Sequence, residues 1–268
     1  MLNYFTKALF SFYIWYQIKS PIKKGNAFLG RLIKNIAPIK YNINGLLFWL
    51  NPVSYIDFHL IAYKTHDDEV KNWLDKYLTE GDVFLDIGAN IGYFSLYAAK
   101  IRNANVIAFE PSKRELHRFY KNIATNKLNN ITVYPFALGN ETTKLTLNLA
   151  DFQNPGKNSI VHSESNKQTS QEIINIATLG DLVSPIHIGK IKLVKIDVEG
   201  YEYHVLQGLE SVMEHLQDVV FIIEITTISE YDPDMEQTHA IYNFFKKFNF
   251  KAEIGVKLNT QYNELFIK

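Results

Sequence analysis

The sequence predicts an α/β fold organised around a mostly parallel sheet, and three observations carry that prediction. From about residue 66 onward, short apolar runs alternate with segments of helical apolar spacing, the rhythm of βαβ units. The apolar runs are short enough to be buried strands. Two of them end in a carboxylate just before a turn, at Asp86 and Glu110, where open α/β sheets bind ligands.

The elements follow in order. Asp68 to Leu78 places Val70, Trp73, Leu74, Tyr77 and Leu78 on one helical face, and Gly81 and Asp82 make the turn into a strand, Val83 to Ile87. A helix, Tyr93 to Arg102, leads to the strand Asn105 to Glu110. The helix Lys113 to Asn126 places Leu116, Phe119, Tyr120 and Ile123 on one face and leads to the strand Ile131 to Phe136. Lys113 and Arg114, at its start, read as solvated. Thr143 to Leu149 alternates apolar and polar positions, as a half-buried antiparallel strand does, and Ile173 to Thr178 is its partner arm. Between them Asp151 to Gln171 is polar, long for a compact domain and suited to a lid or binding segment. Then come the strand Ile191 to Ile196, the helix Tyr203 to His215, the strand Val219 to Ile225, the helix Met235 to Phe248 and a terminal hairpin.

Residues 1–65 have a different character. They are aromatic-rich and punctuated by Pro21, Gly25, Pro38, Gly45 and Pro52. One or two helices and short strands near Tyr41 to Trp49 are expected. This segment reads as an N-terminal extension that packs on the core or contributes to the acceptor side, with residues 66–268 forming the ligand-binding domain. Its start, Ala8 to Ile18, is apolar and aromatic but too short to span a bilayer. A helix packed on the body is the favoured reading, and an interfacial contact of residues 1–20 with a membrane is the alternative.

Composition narrows the function. The chain has 268 residues, 47% hydrophobic and 21% charged, enough for a large core. It has 28 basic and 28 acidic residues, so no global field attracts nucleic acid, and no nucleic-acid partner is expected. There are no cysteines, which excludes disulfides, thiolate metal sites and a thiol nucleophile and fits a cytoplasmic protein.

The segment V-F-L-D-I-G-A-N-I-G-Y-F-S-L, Val83 to Leu96, runs from a strand ending in Asp86 through Gly88 and Gly92 into a helix. Gly88 permits a sharp turn and close approach of a ligand. A dinucleotide site would need G-x-G-x-x-G, whereas here the spacing is G-A-N-I-G and Asp86 stands two residues before the first glycine. A carboxylate there repels a pyrophosphate and suits a cationic aminoacyl ligand. The charge argument selects S-adenosylmethionine over a nicotinamide dinucleotide. Glu110, followed by Pro111, is placed to accept hydrogen bonds from ribose hydroxyls. In L-V-K-I-D-V-E-G-Y-E, Leu193 to Glu202, extension would turn Lys195, Asp197 and Glu199 to one side, and Glu224 is charged within an apolar strand. Such groups must be paired or used.

With these motifs in hand, the sequence resembles the FkbM family of methyltransferases. The resemblance rests on D-I-G-A-N-I-G-Y-F-S-L (Asp86 to Leu96), F-E-P (Phe109 to Pro111), F-A-L-G (Phe136 to Gly139), A-T-L-G-D-L (Ala177 to Leu182) and K-I-D-V-E-G-Y-E-Y-H-V-L-Q-G (Lys195 to Gly208), and covers roughly residues 66–230. It implies a Rossmann-like class I methyltransferase with a seven-stranded sheet and O-methylation of a sugar or small metabolite. It further implies that Asp86, Gly88, Asn90 and Gly92 line the aminoacyl and sulfonium end and that Glu110 holds the ribose. Phe136, Ala137 and Leu138 would lie near adenine, with Asp197 and Glu199 at the reaction centre. Gly180 stands where the family more often has an acid.

Methyl transfer to a hydroxyl needs positioning and a route for the proton. Asp197 or Glu199 is the expected base or orienting group, with Glu224 lining the acceptor pocket. No metal ligand set is read from the sequence. His162, in the polar segment, and His204 read as surface or packing residues, and His59, His66, His117, His187, His215 and His239 show no pattern. Methylation of RNA or protein and a non-catalytic binding module are the alternatives.

Overall fold

A computed structural model describes residues 2–19, 26–150, 158–160, 168–216, 218–228 and 232–268. The chain begins with helices α1 (Leu2–Lys19) and α2 (Asn26–Ile33), the hairpin β1 (Ile39–Ile43) and β2 (Leu46–Leu50), and helices α3 (Tyr55–Tyr63) and α4 (Asp68–Tyr77). Next come β3 (Val83–Ile87), α5 (Tyr93–Ile101), β4 (Asn105–Phe109), α6 (Lys113–Asn126), β5 (Ile131–Tyr134), β6 (Ala137–Leu138), β7 (Thr143–Ala150) and β8 (Gln168–Ala177). Two short helices, α7 (Leu179–Leu182) and α8 (Pro185–Ile188), precede β9 (Ile191–Ile196), α9 (Glu202–Leu209), β10 (Val220–Thr226), α10 (Glu236–Lys247), β11 (Lys251–Ala252) and β12 (Gln261–Ile267).

The expected seven-stranded sheet is present, in the order β11-β12-β10-β9-β3-β4-β5. β10, β9, β3, β4 and β5 pair in parallel, and β12 lies antiparallel to β10 and β11. The strands alternate between two apolar cores, one per face. Phe84, Val106, Ala108, Leu193, Val220 and Ile222 point into one. Leu85, Ile87, Phe109, Val194, Ile196 and Phe221 point into the other. The same alternation places Asp86, Lys195 and Glu224 on the face of Phe84, and Asp86 stands directly opposite Lys195 across the β3–β9 ladder.

That face is covered partly by the N-terminal segment, whose Phe10, Ile33, Phe48 and Leu60 share its core with Leu96 and Phe119. The attachment is also polar. Asn126 of α6 accepts from the Leu47 N–H (2.9 Å) and donates to the Leu47 carbonyl (2.7 Å), and Asn122 accepts from the Trp49 N–H (3.1 Å). Two asparagines thus satisfy the free edge of β2 as a further strand would. Asp57 of α3, fully buried, accepts from Arg118 of α6 through both oxygens, at 2.6 and 2.7 Å, and from the Asn51 N–H at 2.8 Å.

Some expectations are revised. Helix α3 is unanticipated, since its Tyr, Ile, Phe and His content gives weak helix propensity and the Asp57–Arg118 pair and core contacts hold it instead. Tyr203 to His215 is not one helix: α9 ends at Leu209 and a 3-10 segment, Glu210–His215, follows. The hairpin β7–β8 forms as expected but builds a separate three-stranded sheet with β6. Arg114 is not solvated. It bonds Glu115 (2.6 Å), the Ala150 carbonyl and Asn158.

Candidate active site

The carboxyl ends of β3, β4, β9 and β10 open into a cavity of about 510 Å³. Asp86, Gly88, Asn90, Glu110, Phe136, Ala137, Leu138, Asp197, Glu199 and Glu224 all line it. Gly92 stands outside the lining. It opens α5 at φ +81°, and a Cβ there would lie 2.1 Å from the Phe119 ring, so its glycine serves the packing of α5 on α6.

The loop after β3 is held by its neighbours. The Gly88 and Ala89 N–H groups both donate to the Phe109 carbonyl at 3.0 Å, and the Asp197 N–H donates to the Ile87 carbonyl at 3.1 Å. Gly88 has φ +82°, and a Cβ would sit 1.9 Å from the Asp197 carbonyl oxygen. The tips of β3, β4 and β9 are therefore drawn together only because position 88 lacks a side chain.

Asp86 is almost wholly buried. Its Oδ2 accepts from Ser95 Oγ at 2.5 Å, while Oδ1 has no hydrogen-bond partner among the described residues. Burial raises its pKa against the pull of Lys195 and Ser95. An orphaned carboxylate oxygen in a cavity wall fits the cationic end of S-adenosylmethionine. Glu110 accepts from the Asn90 N–H through Oε2 and from the Ser112 N–H through Oε1, both at 2.8 Å. Each oxygen keeps a lone pair for another donor. Burial pushes the Glu110 carboxyl up to about 8 despite those bonds.

The turn after β9 is differently built from the sequence expectation. Extension stops at Ile196, and Glu199 adopts φ +55°, so the alternation of Lys195, Asp197 and Glu199 does not continue through the loop. Folding back nevertheless brings Asp197, Glu199 and Glu224 oxygens within 4.8 Å of one another. Lys195, buried, donates to Asp197 Oδ2 at 2.7 Å. Burial works against the Asp197 charge, but the Lys195 ammonium and its hydrogen bond, joined by Glu224 and His66, together keep that carboxyl below its usual range. Burial, with Asp197, Glu199 and Glu202 nearby, drives Glu224 well above its usual range and so favours its protonated form. Glu202 fixes the loop by accepting from the Val198 and Gly200 N–H groups, both at 3.1 Å.

Several lining residues carried no sequence signal. Tyr55 and Ile56 come from α3, Gln261 from β12, and His66 from the turn before α4. The His66 ring lies beside Tyr93 and Phe94, with centroids 6.2 and 6.3 Å away. Burial lowers its pKa, and Asp197 is the strongest charge opposing that shift. Asn158 and Ile160 of the polar segment also reach the wall, and Ser159 donates to the Glu199 carbonyl at 2.6 Å. His162 lies outside the described residues. His204 stacks on Tyr201 outside the lining, with 4.2 Å between centroids.

A family model, the methyltransferase FkbM domain, matches residues 86–252. The chain belongs to the FkbM methyltransferase family. It therefore contains a class I methyltransferase domain of the kind that takes its methyl group from S-adenosylmethionine. Among curated relatives, Methyltransferase 1 of Beauveria bassiana is 26% identical over 156 residues, covering 52% of this chain and 62% of that protein. The hexuronic acid methyltransferase AglP of Haloferax volcanii is 30% identical over 146 residues, covering 54% and 55%. The chain thus spans less than two thirds of the curated relatives' length. Among solved structures, an rRNA methylase from Streptococcus thermophilus is similar with a TM-score of 0.48 and 13% identity, covering 76% of this chain and 97% of that one.

Proposed function

We propose that this chain transfers a methyl group from S-adenosylmethionine to a hydroxyl oxygen of a sugar or small metabolite, with His66 taking the hydroxyl proton. The observation that carries the reading is the convergence, in one cavity, of a half-buried imidazole, a lysine-paired carboxylate and the Asp86–Glu110 loops. A hexuronic acid methyltransferase among the relatives supports a sugar acceptor.

When bound, S-adenosylmethionine supplies a sulfonium methyl carbon for in-line attack by the acceptor oxygen. Asp86, Gly88 and Asn90 would hold the aminoacyl end, and Glu110 would accept from the ribose. Phe136, Ala137 and Leu138 would receive the adenine. Asp197 and Glu199 would supply negative charge to the sulfonium. Lys195 keeps Asp197 ionised, which makes Asp197 a weak base and a good electrostatic partner. Glu224, whose burial favours the protonated form, would offer a hydrogen-bond donor to the acceptor. His66 is neutral at pH 7 and free to accept a proton, and Asp197 stabilises the imidazolium that results.

The test is labelled methyl transfer to a panel of sugars, sugar lipids, RNA and protein. We expect transfer to sugar or small-molecule hydroxyls. In His66→Gln, kcat should fall about 10²–10⁴-fold with donor affinity unchanged by calorimetry. Because burial lowers the His66 pKa, wild-type kcat/KM should decline only below an ordinary histidine's range, and that acid limb should vanish in the variant. Transfer confined to RNA or protein, or full activity in His66→Gln, would overturn the reading. Unaltered transfer and donor binding in Asp197→Asn would remove Asp197 from it.

A further inference from the structure

The N-terminal helices carry an apolar surface that the active site does not use. In α1, Phe10 and Tyr13 are buried and fasten the helix to the body. On its opposite side Tyr4, Phe5, Phe12 and Trp15 are 83%, 71%, 48% and 55% exposed, with Ile18 also exposed. At 100° per residue these five fall within one face. Phe28 and Leu32 of α2, which contacts α1, are likewise exposed. Exposed aromatics gathered on one surface mark an interaction site.

Charge indicates what that surface meets. Residues 1–56 contain Lys7, Lys19, Lys23, Lys24, Arg31, Lys34 and Lys40 and not one Asp or Glu, although the whole chain is neutral. The remaining residues therefore carry a net charge of −7. Lys7, Lys19, Arg31, Lys34 and Lys40 are exposed. No helix among the described residues is long and apolar enough to cross a membrane. A basic, aromatic, half-exposed helix suits the interface of an anionic bilayer, where aromatic rings enter the headgroup layer and lysines meet lipid phosphates.

We infer that α1 and α2 dock this chain on an anionic phospholipid surface. Tyr4, Phe5, Phe12, Trp15 and Ile18 insert, and the surrounding lysines and Arg31 supply the preference for negative headgroups. The next helix along, α3, places Tyr55 and Ile56 in the cavity wall, so the membrane-facing segment also borders the active site.

The experiment is flotation of the full chain with phosphatidylcholine vesicles, with and without phosphatidylserine. We expect binding to the anionic vesicles, weakened by salt. Brominated acyl chains should quench Trp15 fluorescence in a chain whose Trp49 and Trp73 are replaced by Phe. Phe5→Ser/Phe12→Ser/Trp15→Ser should abolish binding while S-adenosylhomocysteine affinity, measured calorimetrically, is retained. Lys7→Glu, Arg31→Glu and Lys34→Glu should each weaken binding to the anionic vesicles roughly fivefold. Equal binding to both vesicle types, or none to either, overturns the inference. So does a dimer in sedimentation that the triple serine variant dissolves, since the surface would then be a contact between copies. These results are independent of whether any acceptor is methylated.

Discussion

The two walls of the cavity differ in how they are built. The wall assigned to the aminoacyl and ribose ends of the donor comes from residues 86–110, where Asp86, Gly88, Asn90 and Glu110 sit on adjacent strand tips joined by their own backbone bonds. The wall assigned to the acceptor is gathered from Tyr55, His66, Glu224 and Gln261, four elements far apart in the chain. In the first, chain proximity and a parallel ladder fix the geometry. In the second, position depends on which helix covers which face of the sheet. A donor site of the first kind can be shared across a family, while the second can change with the packing of one segment.

The largest expected effect is at the seam between the walls. Gly88→Ala forces a left-handed residue, costing about 1–2 kcal/mol, and sets its Cβ against the Asp197 carbonyl. Donor affinity should fall more than about a hundredfold, measured by calorimetry. A donor site that survives this change would mean the two loops need not meet. Next, Arg118→Met leaves Asp57 buried without a cation and Glu115 with Arg114 alone, for a loss of about 3–5 kcal/mol in chemical denaturation. A smaller loss would show that the N-terminal segment is held by its apolar contacts alone.

Glu110 sharpens the donor side through pH. Its folded pKa, about 8, lies above the ordinary 4.5, so the native state binds the extra proton between those values. Stability should therefore decline as pH rises through that window. Glu110→Gln should lessen this decline in thermal melts, leaving the share due to Glu202 and Glu224, while weakening donor binding. The smallest effect concerns Tyr55→Ala, which should raise acceptor KM roughly fivefold and leave donor affinity unchanged. A change in donor affinity instead would erase the distinction between the walls.

Legibility followed the same division. Val83 to Ile87, Lys113 to Asn126 and Ile191 to Ile196 were readable to the residue, because each apolar pattern has one period and ends at a turn or cap. Glu199 was readable as a site candidate but not in its direction, since its left-handed backbone is set by Glu202 gripping the Val198 and Gly200 N–H groups. His66 lay in a stretch without motif or period. Its place in the cavity wall emerges only from the packing of Tyr93 and Phe94 beside it.

By itself the sequence determined the strand order's raw material, the glycine–acid loops and the family, because these are encoded by neighbours in the chain. Only the tertiary structure decided that Asp86 stands opposite Lys195 and that α3 brings Tyr55 and Ile56 into the same cavity. Nor could sequence alone show that an aromatic helix is buried on one side and open on the other. Those facts depend on contacts between distant residues, which no local pattern specifies.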